Sequence, residues 1–399
     1  MNIAFLSSLN PSDIRNWSGT LYFMFQKLNE SNDVTWIGGN IFEEAISYHE
    51  KNEELGIPFQ PEKYSKIFGM MLSSQLQKES YDLIICRDYF FLSDLQTDIP
   101  VIYVGDTTFK LFNEYMQIKN SLEVCRNDTL ERKAIEKANY VVYPSTWAKE
   151  SAIHDYGKDD KHIKVIEFGA NLVTVPSNIE HKIDKSCHLL FIGTNWEMKG
   201  GDKVLAIHNA LLTIGVDSYL TIVGCSLPYK LIDNRITIHP HIDKATREGF
   251  VQFDQILKDS HFLIAPTLFD CFGIVNCEAS AYGIPILTID TGGVSQAVKD
   301  RVNGFLFKPN STLTEWVDCI CNMLEYPENY QAISKQARME YELRLNWGKW
   351  GQEMNHLINQ IIKKQKFISP LMLLTLKNVG IDESILLQNL TDGMNLIYI

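Results

Sequence analysis

Short apolar runs recur along the whole chain, and they are nearly continuous rather than alternating. A first set reads NIAFLSS (2–8), DVTWIG (33–38), YDLIIC (81–86), VIYVG (101–105), YVVYPS (140–145) and IKVIEF (163–168). A second reads HLLFIG (188–193), YLTIVG (219–224), ITIHP (236–240), FLIAPT (262–267), PILTID (285–290) and FLFKP (305–309). Strands buried on both faces read this way, which means parallel sheets covered by helices. Between the runs lie segments of helical spacing. REGFVQFDQILKDS sets Phe250, Phe253, Ile256 and Leu257 on one stripe, and LERKAIEKANY leads into a strand as a βα unit should. Strand and helix alternate through two groups, which predicts an α/β protein of two doubly wound domains. The polar stretch VTVPSNIEHKIDKSCH (173–188) is the expected linker. The expected boundaries are 1–172 for the first domain and 173–345 for the second. Helices and a tail over 346–399 are expected to pack back on the first domain, with 366–399 left without an assigned structure.

Composition excludes several classes of function. Lys and Arg number 37 against 49 Asp and Glu, a net charge of -12, so a duplex-binding face is not expected and nucleic acid is not a partner. No apolar stretch reaches the ~20 residues that span a bilayer. The N-terminal MNIAFLSSLNPSDIRN has neither a basic n-region nor a long apolar h-region, so it does not read as a signal peptide. Eight cysteines without framework spacing fit reduced thiols, and the expected compartment is the cytoplasm. Cys319 and Cys321 lie two apart in a helical pattern, where side chains do not face each other, so they read as structural thiols rather than metal ligands.

In parallel open sheets, ligands sit beyond the carboxyl ends of the strands. The first strand runs into Trp17-Ser18-Gly19-Thr20 ahead of a helix. That segment reads equally as a loop letting a ligand approach the backbone and as an N-cap with Ser18 as the cap. No G-x-G-x-x-G is present, so the dinucleotide fingerprint is absent. HLLFIG continues as Thr194-Asn195-Trp196-Glu197-Met198-Lys199-Gly200-Gly201. A cation at a helix start opposes the macrodipole unless an anion binds there; the bland alternative is a solvated turn lysine. FLIAPT leads to Asp270, Cys271, Phe272 and Gly273, then a helix through Ile274, Val275 and Glu278. The backbone N–H groups of Phe272 to Val275 would point out of that helix start as an anion site. Capping could explain one acid, but hardly two acids with a second glycine loop, Thr291-Gly292-Gly293, close behind.

DCFGIVNCEASAYGIPILTIDTGG resembles the E-x7-E signature of retaining glycosyltransferases of family 4, and IGTNWEMKGGDKVL resembles that family's diphosphate-binding loop. PSTWAKESAIHDYG with IEFGAN is similar to its interdomain stretch, and VNGFLF fits as well. The resemblance covers roughly residues 1–360 and implies the GT-B fold: two Rossmann-like domains facing a cleft, the first on the acceptor side, the second holding the nucleotide-sugar. It implies that Asp270 lies near the donor sugar and that Glu278 binds the ribose. Lys199 would neutralise the diphosphate, and the amides of Phe272, Gly273, Ile274 and Val275 would meet it. Gly19, with Ser18, would form the acceptor-side loop. Two departures stand out. Thr194 sits where the family has an arginine paired with the lysine, and the first acid is Asp rather than Glu. On the acceptor side, Asp106 stands in the neighbourhood of a family histidine, and Arg87-Asp88 follow the preceding strand.

The implied activity is a cytoplasmic, metal-independent retaining sugar transfer from a nucleotide-diphosphate-sugar to a glycan, glycolipid or polysaccharide precursor of the cell envelope. No cofactor is implied, since the nucleotide-sugar is a substrate. The leaving diphosphate itself would deprotonate the acceptor. The alternatives are another GT-B enzyme (an epimerase or a phosphorylase) and a two-lobed sugar-binding protein without chemistry. Residues 359–374, NQIIKKQKFISPLMLL, read either as a weak peripheral anchor on the inner face of an anionic membrane or as a packed helix with a solvated lysine face.

Overall fold

The computed structural model describes residues 1–54, 61–177, 186–229 and 233–367. Each apolar run forms a strand. The first group comprises β1 (Asn2–Leu6), α1 (Thr20–Asn29), β2 (Asp33–Ile37), α2 (Gly39–Glu54), α3 (Pro61–Leu76), β3 (Leu83–Cys86), α4 (Tyr89–Leu92), β4 (Val101–Val104), α5 (Phe109–Met116), α6 (Ser121–Lys137), β5 (Tyr140–Tyr143), α7 (Thr146–His154) and β6 (Ile163–Val165). The second comprises β7 (Ser186–Ile192), α8 (Gly201–Thr213), β8 (Asp217–Val223), β9 (Ile236–His239), α9 (Arg247–Asp259), β10 (Phe262–Ala265), α10 (Ile274–Ala281), β11 (Ile286–Ile289), α11 (Val294–Ala297), β12 (Gly304–Phe307), α12 (Leu313–Glu325), α13 (Pro327–Leu343) and α14 (Trp347–Phe367).

The strands form two six-stranded sheets, ordered β2-β1-β3-β4-β5-β6 and β12-β11-β10-β7-β8-β9. The named strand pairs are all parallel. The continuous runs have their cause here: β3, β4, β10 and β11 are buried at every residue. The edge strands β2 and β9 keep exposed positions, because one flank has no neighbour. In the first sheet the order reverses between β1 and β3, where Ala4 faces both Thr35 and Ile84. In the second it reverses between β7 and β10, where Leu189 faces both Leu220 and Phe262. Crossovers leave these strand pairs on opposite faces, so a crevice opens at their carboxyl ends.

The helices bury the faces their spacing foretold. In α9, Phe253 and Leu257 are buried while Phe250 and Ile256 are half-buried, and Thr246 caps the start by accepting the Gly249 N–H at 3.1 Å. In α12 a capping box between Thr312 and Glu315 sets the first turn, and Trp316 stacks on Phe307 with centroids 4.1 Å apart. An apolar core packs on one face of each sheet, around Leu6, Phe68, Ile84 and Phe91 in the first and Phe191, Leu220, Ile264 and Trp316 in the second. The chain returns to the first group at the start of α14. Trp347 lies 6.2 Å from Phe23 and 5.8 Å from Phe168, ring to ring. Gly169 passes so close that a Cβ there would lie 2.3 Å from the Trp347 nitrogen. Residues 1–353 form one unit, and the remainder of α14 belongs to a second. The tail 368–399, with the apolar half of the 359–374 segment, lies outside the described residues. Among the described residues no helix is long and apolar enough to cross a membrane.

One buried carboxylate ties α6 to the first sheet. Glu131 is 2% exposed; it accepts from the Tyr103 hydroxyl at 3.1 Å and from the Phe109 N–H that opens α5. Burial pushes its carboxyl up from 4.5 to about 7, against the lowering effect of those hydrogen bonds. A carboxyl held above its unfolded value contributes stability below about pH 4.5 that is lost as the pH rises through about 7. Glu131→Gln removes this titration. In denaturant unfolding, wild type should lose up to about 3 kcal/mol relative to the variant between about pH 5 and pH 8. Parallel pH profiles for the two proteins would contradict the assignment.

Candidate active site

Four loops at the carboxyl edge of the second sheet build one wall. Between β7 and α8 the Lys199 stem lies across Gly193, where a Cβ would sit 2.8 Å from the lysine Cγ. Gly200, at φ 75°, caps α8, and a Cβ on it would lie 2.2 Å from the Pro266 oxygen at the end of β10. This close approach brings the Lys199 ammonium to Asp270: Nζ is 2.6 Å from Oδ2 and donates to the Phe269 carbonyl at 3.4 Å. The other Asp270 oxygen accepts the Phe272 N–H at 3.2 Å. That amide, expected to be open to an anion, is therefore taken. The Phe272 side chain is buried, edge-on to Phe168 at 5.7 Å. Gly293 backs the loop, donating to the Asp270 carbonyl at 3.0 Å; a Cβ there would lie 1.9 Å from the Cys271 oxygen. Gly273, at φ 85°, caps α10 without a side-chain acceptor, and Ile274 and Val275 in the first turn line the cavity.

Glu278, inside α10, is 2% exposed. Its partner, absent from the sequence-based list, is Lys244 from the loop between β9 and α9, with Nζ 2.8 Å from Oε1. Burial raises the Glu278 carboxyl and Lys244 opposes the rise. Lys244 also donates to the Asn171 carbonyl at 3.4 Å and lies 5.0 Å from the Phe253 ring centre.

The first sheet supplies the facing wall. Trp17, Ser18 and Gly19 follow one another at φ 50°, 56° and 96°. Two of the three carry side chains that disfavour this region, so the turn is strained. Ser18 does not cap α1; Gly19 occupies the cap position with no side-chain acceptor. Asn171 holds the turn, donating to the Ser18 carbonyl at 2.9 Å and to Thr20 Oγ1 at 3.0 Å, while Trp347 Nε1 donates to Asn171 Oδ1 at 2.9 Å. The Arg87 guanidinium lies 4.6 Å over the Trp17 ring and pairs with Asp88 at 2.6 Å. Asp88 is buried and also accepts the Ser8 N–H at 2.6 Å, which gives it a structural role. Asp106, after β4, has its carboxyl raised by burial and held back by Arg87 and by a hydrogen bond from Trp17; Asp270 raises it further.

The two walls enclose a cavity of about 430 Å³. Ser18, Thr20 and Asp106 line it from the first wall, and Thr194, Lys199, Asp270, Phe272, Gly273, Ile274, Val275 and Glu278 from the second. Gly19 sits just behind, between two lining residues. Thr194 is exposed and brings no charge. Sequence reading missed Lys244, Asn171 and Asn276. Asn276 is buried in the first turn of α10 and lines the cavity, and its Oδ1 has no protein partner. The position of Lys244 just after a strand was an available signal; the partners of Asn171 were not.

Comparison with known proteins places the two halves of the chain in a family. Residues 33–173 match the model of Glycosyltransferase Family 4, and residues 177–340 match that of Glycosyl transferases group 1. The chain is 21% identical over 323 residues to the D-inositol 3-phosphate glycosyltransferase of Corynebacterium glutamicum, covering 74% of this chain and 76% of the relative. Sucrose-phosphate synthase from Thermosynechococcus elongatus superposes with a TM-score of 0.66 at 15% identity, over 91% of this chain and 100% of that one. HepE from Anabaena, solved with UDP and glucose, gives 0.63 at 18% identity, over 90% and 99%. The two family models meet at the linker between the sheets, and the chain belongs to the family 4 glycosyltransferases, enzymes of the GT-B fold that transfer a sugar from a nucleotide-sugar.

Proposed function

We propose that the cavity holds a nucleotide-diphosphate-sugar, transferred with retention of configuration to a hydroxyl of a glycan or lipid-linked acceptor in the cytoplasm. The observation that carries this is the Lys199–Asp270 pair at the mouth of α10, at 2.6 Å. As the sugar departs, negative charge grows on the leaving diphosphate. Lys199 is placed to meet it, and the first turn of α10 adds oriented N–H groups in a partly dry site. Asp270 then faces a sugar that has become oxocarbenium-like, which a carboxylate stabilises without bonding to it. A diphosphate on the face the acceptor approaches can take the acceptor proton, so retention needs no protein nucleophile. Glu278, buried on α10, is the acceptor for the ribose hydroxyls. Among donors, the uridine diphosphate carried by HepE is the first to try.

Asp106 is assigned to the acceptor hydroxyl. It lines the wall opposite Asp270, and its carboxyl is fixed by Arg87 and Trp17.

Lys199→Met and Glu278→Gln should each weaken binding of the preferred nucleoside diphosphate by about tenfold or more, measured by calorimetry on variants whose circular dichroism spectrum matches wild type. Unchanged affinity in both variants would remove the donor site from this cavity. Asp106→Asn should raise the acceptor KM and lower kcat while donor affinity stays within about threefold; a change confined to the donor would reassign it. Turnover should survive excess EDTA, because Lys199 and backbone amides supply the charge stabilisation. Donor incubated without acceptor should give no epimer, and the anomeric configuration read by NMR should match that of the donor.

A further inference from the structure

We infer that Lys244 is the second cation for the donor's diphosphate, filling the electrostatic role left empty at Thr194. The inference rests on the donor reading above. A diphosphate diester carries a negative charge on each phosphate, and Lys199, paired with Asp270 at 2.6 Å, is one cation. The residue after β7 that would add a second cation is the exposed, uncharged Thr194. Lys244 lines the same cavity from the loop after β9, two strands along the sheet edge from β7. Its ammonium has three N–H directions. One meets Glu278 Oε1 at 2.8 Å; the other contacts are a carbonyl at 3.4 Å and the face of Phe253 at 5.0 Å. The last two are weak and exchangeable, and a phosphate oxygen is a better partner than either. Glu278 is too buried to stand uncompensated, so the ion pair is the resting state of the site. With donor bound, ribose hydroxyls engage Glu278 and the ammonium bridges the carboxylate and the neighbouring phosphate. A lysine suits this because its flexible stem can re-aim a compact charge.

The test uses the full chain and calorimetry. The titrants are whichever of UDP, GDP and ADP stabilises wild type most, and the matching free nucleoside. Lys244→Gln keeps a hydrogen-bond donor for Glu278 without the charge. It should lower diphosphate affinity by about tenfold or more and leave nucleoside affinity within about threefold. Lys244→Arg should restore the diphosphate affinity. Equal losses for both titrants would mean that Lys244 serves only Glu278, and no loss for either would make the pair purely structural; both results overturn the proposal. If Lys244→Gln does not fold, Thr194→Arg in the wild-type background decides the matter. A site already holding two cations should gain less than about threefold in diphosphate affinity, whereas a tenfold gain would show that Lys199 stands alone. If none of the three diphosphates binds wild type, the donor reading fails first, and this inference with it.

Discussion

Covering both faces of a parallel sheet with helices leaves the chain one open place for chemistry, the carboxyl edge of the strands. Both sheets obey this constraint, and each reverses its strand order once, at β1 and β3 and at β7 and β10. Much of the cavity's polar lining then comes from segments beyond strand ends: Trp17 after β1, with Arg87 after β3 packed on its ring, Asp106 after β4, Lys199 after β7, Lys244 after β9 and Asp270 after β10. Six loops crowd into one space, and the backbone must give way. At Gly200 and Gly293 a methyl group would lie about 2 Å from a neighbouring carbonyl oxygen, inside any tolerable contact. Those glycines are the steric condition for bringing Lys199 within reach of Asp270.

The electrostatics of the cavity follow from desolvation. A half-buried ammonium or a buried carboxylate is costly alone, and removing one partner of a buried pair costs about 3–5 kcal/mol. The ligand-free walls therefore neutralise themselves: Lys199 with Asp270, Lys244 with Glu278, and Arg87 between Asp88 and Asp106. An anionic donor does not enter a cluster of unpaired cations. On the proposed reading it would exchange with carboxylates for ammonium groups already in place and oriented. Preorganisation of that kind is what lets fixed charges act on a leaving group without reorganising during the reaction.

How much of this was readable beforehand depended on the distance over which the information lies. The strands are local, and their burial on two faces wrote itself into the composition of each run. The D-x7-E segment is local as well; loop, positive-φ glycine and helix occupy one stretch, so Asp270, Gly273 and Glu278 could be placed from sequence. Lys244 meets Glu278 across 34 residues, and Asn171 meets Trp347 across 176. Nothing in the local spacing encodes those encounters. At the 17–20 turn one of the two open alternatives, the Ser18 cap, does not hold, for a different reason. A serine ahead of a helix usually caps it, but here Trp17 and Ser18 adopt left-handed backbone, and the capping position moves on to Gly19. The Phe272 amide was misjudged because the carboxylate beside it, rather than a ligand, uses it.

That strained turn has to be held by something outside it. Left-handed backbone at two non-glycine residues costs of the order of 1–3 kcal/mol each. Net gains of about 0.5–1.5 kcal/mol per hydrogen bond from Asn171 to Ser18 and Thr20 recover only part of that. Arg87 over the Trp17 ring, about 0.5–2 kcal/mol for a desolvated cation–π contact, and the edge contact with Phe168 supply more. Asn171 itself is 1% exposed, and both ends of its amide are engaged, so it has no alternative arrangement that leaves its polar atoms satisfied. Its backbone carbonyl is also what Lys244 touches at 3.4 Å. The residue that fixes the strained turn on the first wall thus also receives the cation of the second.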